Sequence, residues 1–584
     1  MAHDFNAAEW LVDRHVEQGR GERTAVRGSQ TLTYAELAQL SVEVASSLRR
    51  LGLRRDDRVI FVMSDGIEVL GGILGAFRAG VVAVPVSTML GAHELAEILA
   101  DSGARLVFAT PEYLHDVTAA IDLAPDVEHF VLAGADPLQA LSSASARSWE
   151  DFISIGRDGT EHDRAVADTD DDTCALWLYT SGTTGSPKGA MHRHADIRHV
   201  CRTYGDQVLG IRPDDVCFSV AKLFFAYGLG NSALFPLSVG ATTVLEPRHP
   251  TPEVIAERMA RDKPTIFGGV PTFFASLVAS DLADDTFSSV RLATSAGEPL
   301  PAPLQRRFTD RFGVEIIDGI GCTESLNTFL SNRPGDIRPG TTGRPVPGYE
   351  LQLRDATGGL VPQGQPGTLH VRGESIAQGY WRRTAASRQV FVGEWLNTGD
   401  TYMESQDGYY TCLGRSSDLI KAGGIWVTPS EVENRLLEHP LVAEAAVVGS
   451  FDADGLIKPV ACVVTRGLVT GDELIRWCRD ELARFKCPRA VVLVDELPKT
   501  ATGKLQRFKV RELVTDNVSW AVEPSSSPGH KAGSSPADAV AAYPLAKLCI
   551  NPKKYVDPPI RFCNDAKKYV DCCAERLAPP CWTK

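Results

Sequence analysis

Several features are missing from these 584 residues, and each absence removes a class of function. There is no surplus of basic charge: the net charge is −14. Nucleic-acid backbones are gripped by clustered Lys and Arg, so an acidic chain points to small-molecule chemistry. No basic stretch followed by an apolar one opens the chain at MAHDFNAAEW, and the longest apolar stretch, 69–86, is interrupted by Arg78 and Pro85. Neither a signal peptide nor a membrane span is expected, and the expected location is cytoplasmic. Cysteine spacings typical of metal ligands or of a disulfide framework are missing as well: Cys174, Cys201, Cys217, Cys322, Cys412, Cys462, Cys478 and Cys487 are scattered singly and read as reduced thiols. The length exceeds what one core accommodates and predicts two to four domains.

What is present begins with YTSGTTGSPKG at 179–189. Gly182, Gly185 and Gly189 allow close backbone approach, Thr180, Ser181, Thr183 and Thr184 bring hydroxyls, and Lys188 adds a positive charge, a composition suited to the phosphates of a nucleotide. The apolar run 175–179 before it reads as a buried strand and the stretch from Ala195 as a helix, so the loop is expected at a strand-to-helix turn. It is not a Walker loop, because Pro187 precedes the lysine and Gly189 follows it. Four further segments follow in order: DGIGCTES (318–325), NTGD (397–400), GRSSDLIKAGGIWVTPSEVE (414–433) and PKTATGKLQR (498–507).

Together these motifs resemble the adenylate-forming superfamily of acyl-CoA synthetases, peptide-synthetase adenylation domains and beetle luciferases, over about residues 6–515. The resemblance implies ATP, Mg²⁺ and coenzyme A, or the phosphopantetheine of a carrier protein, as reactants and cofactors. It also implies site roles. The 179–189 loop would hold the β- and γ-phosphates, Glu324 would hold Mg²⁺ and Thr323 would donate to the α-phosphate. Asp318, followed by Gly319, would face the adenine amino group, with Gly297 and Glu298 along the base. Asp400 would accept the ribose hydroxyls beside Arg415. Lys504 would reach between the substrate carboxylate and the α-phosphate, a point charge that offsets crowded negative charge. Gly423, Gly424 and Trp426 of the KAGGIWV segment would line a thiol tunnel after a swing about a hinge at 414–418. At the hinge the chain departs from the usual pattern, with Ser417 where relatives carry Asp or Lys.

FFAYGLGN (224–231), SAGEPLP (295–301), the opening NAAEWLVDR and MHRHAD resemble the benzoate-CoA ligase branch. The resemblance implies an aryl slot of Ala226, Tyr227, Gly228, Ile320 and Gly321. Asn327 and Thr328 stand where benzoate relatives tend to have His and Ile, so the pocket is expected to be more polar and its substrate a hydroxy- or aminobenzoate. The acceptor thiol is expected to be CoA, with the phosphopantetheine of a carrier protein as the alternative and a luciferase-like oxygenase and a non-catalytic adenylate sensor as further alternatives. His192, His194 and His199 are read as helix-start packing rather than as zinc ligands.

The fold class expected is α/β: a large N-terminal domain (1–413) of two doubly wound sheets plus a small β-barrel (about 335–413), then a mobile α+β domain at 419–516. Strands are expected at 58–63, 81–86, 105–110, 129–134, 216–220, 242–245, 265–268 and 291–295, and a helix after an N-cap at Thr428. A Ser/Pro/Gly/Ala-rich stretch at 517–545 reads as a flexible linker. The last segment, 546–584, carries five cysteines and a KKYVD near-repeat; disorder is the default expectation, with a disulfide module, a metal-binding appendage, a docking peptide or an altered reading frame left open.

Overall fold

The computed structural model describes residues 4–135, 144–181, 187–415, 418, 420–422, 425–452, 456–484, 486–499 and 505–518, without the side chains of Ser181, Lys421, Ala422, Ile425 and Trp426. Gly182, Thr183, Thr184, Gly185, Ser417, Gly423, Gly424 and Lys504 therefore lie outside the described residues, as do the linker beyond residue 518 and the tail.

The apolar runs of the first part form a seven-stranded sheet in the order Ser145–Ser148, His129–Leu132, Leu106–Ala109, Arg58–Val62, Val82–Pro85, Cys174–Ser181, Pro187–Arg193. All neighbours are parallel except the last pair. Val82–Pro85 and Leu106–Ala109 are buried at every position, as strands covered by helices on both faces must be. A nine-stranded sheet follows, in the order Arg344–Pro345, Thr328–Ser331, Ile316–Gly321, Leu292–Ser295, Ile266–Gly269, Val216–Ser219, Thr242–Val244, Thr24–Arg27, Thr31–Thr33. Its five central pairings, from Ile316–Gly321 to Thr24–Arg27, are parallel.

Between 350 and 415 five antiparallel strands form the expected β-rich part, but it is half a barrel. Glu350–Arg354 lies at one end of the path, and no pairing among the described residues joins it to Tyr410–Arg415. The C-terminal segment has its own small cores. The helix Pro429–Leu437 packs on the strand Val442–Phe451, which pairs with Ile457–Thr465 and through it with Ala490–Leu493. Thr428 occupies the N-cap position of that helix, yet its side chain accepts no capping hydrogen bond. The cap that forms is at the next helix, Gly471–Arg479, where Thr470 and Glu473 bond reciprocally. Arg507, on the last helix, donates to both oxygens of Glu433 at 2.6 and 3.0 Å, and Arg511 to Asp418 at 2.5 Å. Among the described residues no helix is long and apolar enough to cross a membrane.

Candidate functional site

Open α/β sheets gather ligands beyond the carboxyl ends of their strands, and Thr180, Gly297, Ile320 and Thr323 lie at or just past such ends. The first departure concerns the glycine-rich loop. Its flanks are two antiparallel strands, Cys174–Ser181 and Pro187–Arg193, with Thr180 opposite Lys188 and Ser181 opposite Pro187. The residues that flank the loop therefore pair as a β-hairpin and do not lead from a strand into a helix; the helix, His194–Val200, comes only after the second strand. Lys188 sits with its ammonium 5.6 Å from the ring centre of Tyr380.

The second group comes from the strand Ile316–Gly321 and the turn after it. Asp318 is 5% exposed, and burial pushes its carboxyl well above the usual carboxylate range. Backbone N–H groups of Leu300 and Gly319 and the Ser295 hydroxyl lie about it, yet Oδ1 closes no hydrogen bond. A buried acceptor left unpaired is costly in an isolated chain and suits a ligand donor such as an exocyclic amine. Gly297 follows the neighbouring strand with φ +94°, a left-handed conformation open to glycine, which turns the chain at Glu298 across the same strand ends. Glu298 bears electrostatically on Arg507 of the C-terminal segment.

Thr323 and Glu324 occupy a single 3₁₀ turn. The Tyr380 hydroxyl donates to Glu324 Oε1 at 2.5 Å, and Oε2 accepts nothing from the described residues. A partly exposed carboxylate with an uncommitted oxygen is a hard donor of the kind Mg²⁺ takes, so the residue present fits the ion. Asp400 and Arg415 face each other in register on the strands Trp395–Glu404 and Tyr410–Arg415, with Arg415 Nε 3.1 Å from Asp400 Oδ1. Asp400 is 9% exposed, whereas Arg415 reaches into solvent. Burial first, and then the neighbouring Asp400, push the Cys412 thiol up to about 11.

The aryl-slot residues also assemble. Ala226, Tyr227 and Gly228 lie on the short helix Ala226–Leu229, and the Tyr227 hydroxyl donates to the Thr294 carbonyl at 2.9 Å. Burial holds the Tyr227 phenol well above its ordinary range, so it remains neutral. Asn327 Nδ2 donates to the Ala226 carbonyl at 2.9 Å, which ties the helix to the chain beyond Gly321. The backbone N–H and the hydroxyl of Thr328 donate to Asn327 Oδ1 at 2.8 and 3.0 Å. The amide of Asn327 is thus spent within the protein, and the Thr328 hydroxyl turns its hydrogen inward to it. A second amide nearby is only half spent. Asn231, 4% exposed and one turn beyond Tyr227, donates to the Tyr227 carbonyl at 2.9 Å while its Oδ1 is buried without a partner, near the ends of Val216–Ser219 and Ile266–Gly269. It closes the FFAYGLGN motif, and only its unspent oxygen, invisible in sequence, marks it out.

Tyr380 and His192 were likewise not singled out as site residues. His192, His194 and His199 are engaged in packing or hydrogen bonds: His194 Nδ1 accepts from the Ala7 N–H at 3.1 Å, and burial pushes its imidazole down to about 3. His192 reaches the Thr323 carbonyl, and His199 approaches Glu374 at 3.5 Å. The KAGGIWV segment forms the antiparallel pair Ile420–Ala422 and Ile425–Val427, with Trp426 opposite Lys421. The eight body cysteines are free.

Comparison with known proteins agrees with this geometry. Residues 12–381 match the AMP-binding enzyme family and 431–504 the AMP-binding enzyme C-terminal domain. The chain is 44% identical over 516 residues to the benzoate–CoA ligase of Thauera aromatica, covering 87% of this chain and 96% of that one. It is 39% identical over 534 residues to the 4-hydroxybenzoate–CoA/benzoate–CoA ligase of Rhodopseudomonas palustris, covering 90% and 97%. Among solved structures, the anthranilate CoA ligase AuaEII in complex with anthranoyl-AMP aligns with a TM-score of 0.82 and 39% identity over 88% of this chain and 98% of that one. Together with two largely parallel sheets and a half-barrel, these matches show that the chain belongs to the AMP-binding enzyme family.

Proposed function

We propose that the chain is an AMP-forming aryl acid–CoA ligase acting on a hydroxy- or amino-substituted benzoate. The observation that carries this reading is a juxtaposition on one strand. Asp318 and Ile320, two residues apart on the same face of Ile316–Gly321, bring the nucleotide end and the ring slot side by side. The ionised substrate carboxylate attacks the α-phosphorus of ATP, releasing pyrophosphate; a thiolate then attacks the acyl carbon of the adenylate and AMP leaves. No general base is needed in the first step, because the nucleophile is already deprotonated near pH 7.

The chain's task is therefore to orient groups and offset charge. Asp318 Oδ1 accepts from the adenine amino group, Asp400 and Arg415 hold the ribose, and Thr323 donates to the α-phosphate. Glu324 holds Mg²⁺, which when bound offsets charge on the phosphate oxygens. Lys188 and the hydroxyls of the hairpin loop take the outer phosphates, and Lys504 approaches the reacting oxygens from the C-terminal segment. That segment, hinged at 414–418, turns after the first step so that Gly423, Gly424 and Trp426 line the path of the thiol. Ala226, Tyr227, Gly228, Ile320 and Gly321 wall the ring, and Asn231 Oδ1 accepts from its hydroxyl or amino substituent. The names of the relatives, which include hydroxybenzoate and anthranilate ligases, support the substituent. CoA is the acceptor favoured by those same names.

Mass spectrometry of products from ATP, a panel of benzoate, hydroxybenzoates and anthranilate, and either CoA or a phosphopantetheinylated carrier protein tests the whole reading. The expected product is a hydroxy- or aminobenzoyl-CoA with AMP. No adenylate with any aryl acid would overturn the function, acylation of the carrier alone would overturn CoA, and highest activity on unsubstituted benzoate would overturn the role of Asn231.

A further inference from the structure

The turn that carries Thr323 and Glu324 is under strain. Leu326, which ends it, is a fully buried, branched residue at φ +64°, ψ −38°, outside the region such side chains adopt readily. Something must hold the turn in this shape, and three consecutive carbonyls show what does. Ser375 Oγ donates to the Ser325 carbonyl at 2.8 Å, and the Ala377 N–H donates to that of Glu324 at 2.8 Å. His192 Nε2 donates to the carbonyl of Thr323 at 2.8 Å.

The third bond differs from the others in where it comes from. Ser375 and Ala377 lie in the chain that follows the half-barrel strand Pro366–Arg372, whereas His192 belongs to the second strand of the glycine-rich hairpin, on the other sheet. A carbonyl oxygen can only accept, so Nε2 is the donor in this bond, and the carboxylate oxygen that faces Nδ1 likewise calls for an N–H on that side of the ring. The ring itself is held from behind. His192 Nδ1 lies 3.2 Å from Asp196 Oδ2, and both residues are 0% exposed. Asp196 is in turn gripped by the Arg193 backbone N–H at 3.0 Å and by Arg193 Nε at 3.0 Å, while Arg193 also bonds Asp172 at 2.8 Å and the Glu374 carbonyl at 2.7 Å. The buried chain therefore runs from the hairpin that bears Lys188 to the backbone of the residue before Glu324.

We propose that His192, oriented by Asp196, is a positioning residue that ties the glycine-rich hairpin to the Thr323–Glu324 turn and so fixes the Thr323 hydroxyl and the Glu324 carboxylate relative to Lys188. The inference rests on the nucleotide role given above to those three residues. It assigns His192 no contact with substrate. Losing the bond leaves the strained turn free to relax, and the metal-holding carboxylate moves with it. Partners one step behind a ligand cost roughly 10- to 100-fold in affinity or activity when removed.

The test compares wild type with His192→Leu, His192→Gln and Asp196→Asn. Glutamine can return an N–H donor near the Nε2 position, and leucine cannot. Mn²⁺ binding in the presence of α,β-methylene-ATP, read by electron paramagnetic resonance, reports on the turn without turnover. Pyrophosphate exchange reports on adenylation, and thioester formation from synthetic aryl-adenylate reports on the second step. His192→Leu is expected to weaken Mn²⁺ binding and slow exchange by about 10- to 100-fold. The aryl-acid KM and transfer from the adenylate should stay within about threefold. His192→Gln should recover most of the loss, and Asp196→Asn should fall between. Should His192→Leu not fold, Asp196→Asn carries the same comparison. Unchanged Mn²⁺ binding in the folded variants, or equal losses in both half-reactions with no recovery by glutamine, overturns the proposal. Absence of exchange in wild type with every aryl acid would instead overturn the functional reading, and the Mn²⁺ measurement would still decide the role of His192.

Discussion

Replacing Gly228 by alanine should damage the aryl site while leaving the nucleotide site in place. A Cβ built on Gly228 falls 2.0 Å from the carbonyl oxygen of Lys222 and 2.5 Å from that of Ala221. Both are backbone atoms, so no rotamer change relieves the clash. Cβ atoms essentially never come within 3.0 Å of such neighbours, so the short helix Ala226–Leu229 must retreat by at least about 1 Å. The retreat carries with it the Ala226 carbonyl bonded to Asn327 and the Tyr227 hydroxyl bonded to Thr294. Misplacing a positioned reactant by about 1 Å costs on the order of 100-fold in rate, and overpacking of this kind costs about 1–3 kcal/mol in stability. Pyrophosphate exchange should therefore show kcat/KM for the aromatic acid lowered about 100-fold, with the KM for ATP changed by less than about threefold and the circular dichroism spectrum preserved. Gly91→Ala serves as the control, since its added Cβ meets no atom within 4 Å. A Gly228→Ala enzyme that keeps its kcat/KM for every aryl acid would refute the claim that this helix walls the ring.

Two other outcomes follow, one from a buried carboxyl and one from the proposed role of Lys504. Asp65, buried beside the Leu223 N–H, has its carboxyl pushed up to about 6 by burial, with Lys222 pulling the other way. Below pH 3.8 the group is neutral in both states. Between 3.8 and 6 the unfolded chain ionises and the folded chain does not, and above 6 the fold carries a buried carboxylate at a cost of about 3 kcal/mol. Asp65→Asn should thus be more stable than wild type by about 1–3 kcal/mol at pH 7.5, after losing the attraction to Lys222, and should lose the fall in stability between pH 4 and 6; urea unfolding at both pH values checks it, and an unchanged fall refutes it. Lys504→Ala should abolish pyrophosphate exchange by several orders of magnitude while thioester formation from a synthetic adenylate persists; equal loss in both assays would remove Lys504 from the first step.

Much of the fold was legible in the sequence because buried parallel strands read as unbroken apolar runs. Val82–Pro85, Leu106–Ala109 and Leu292–Ser295 are buried throughout and fall within the expected ranges. Pro187–Arg193 was not legible: it is an edge strand opening on proline, half-buried and mixed in polarity, and its pairing is dictated by the hairpin rather than by its own pattern. Thr428 shows the limit of a local signal. The residue type and the following Pro429 are right for an N-cap, but the side chain finds no backbone N–H to accept from. For the site, the motifs located the residues and missed how they spend their hydrogen bonds. Whether Asn327 offers its amide to a substrate depends on Ala226, 101 residues away, and no spacing rule reports that. The same holds for His192, whose partner is 131 residues distant on another sheet.

Arg415 ends its strand where the expected pivot begins, and its partner Asp400 belongs to the half-barrel. On the proposed reading, a ribose held there would be clasped at the axle, so that a swing of the C-terminal segment would carry Lys504 and the 423–424 glycines through wide arcs while the sugar hardly stirs. The intermediate can thus stay moored by its least reactive end as the machinery around its acyl bond is exchanged.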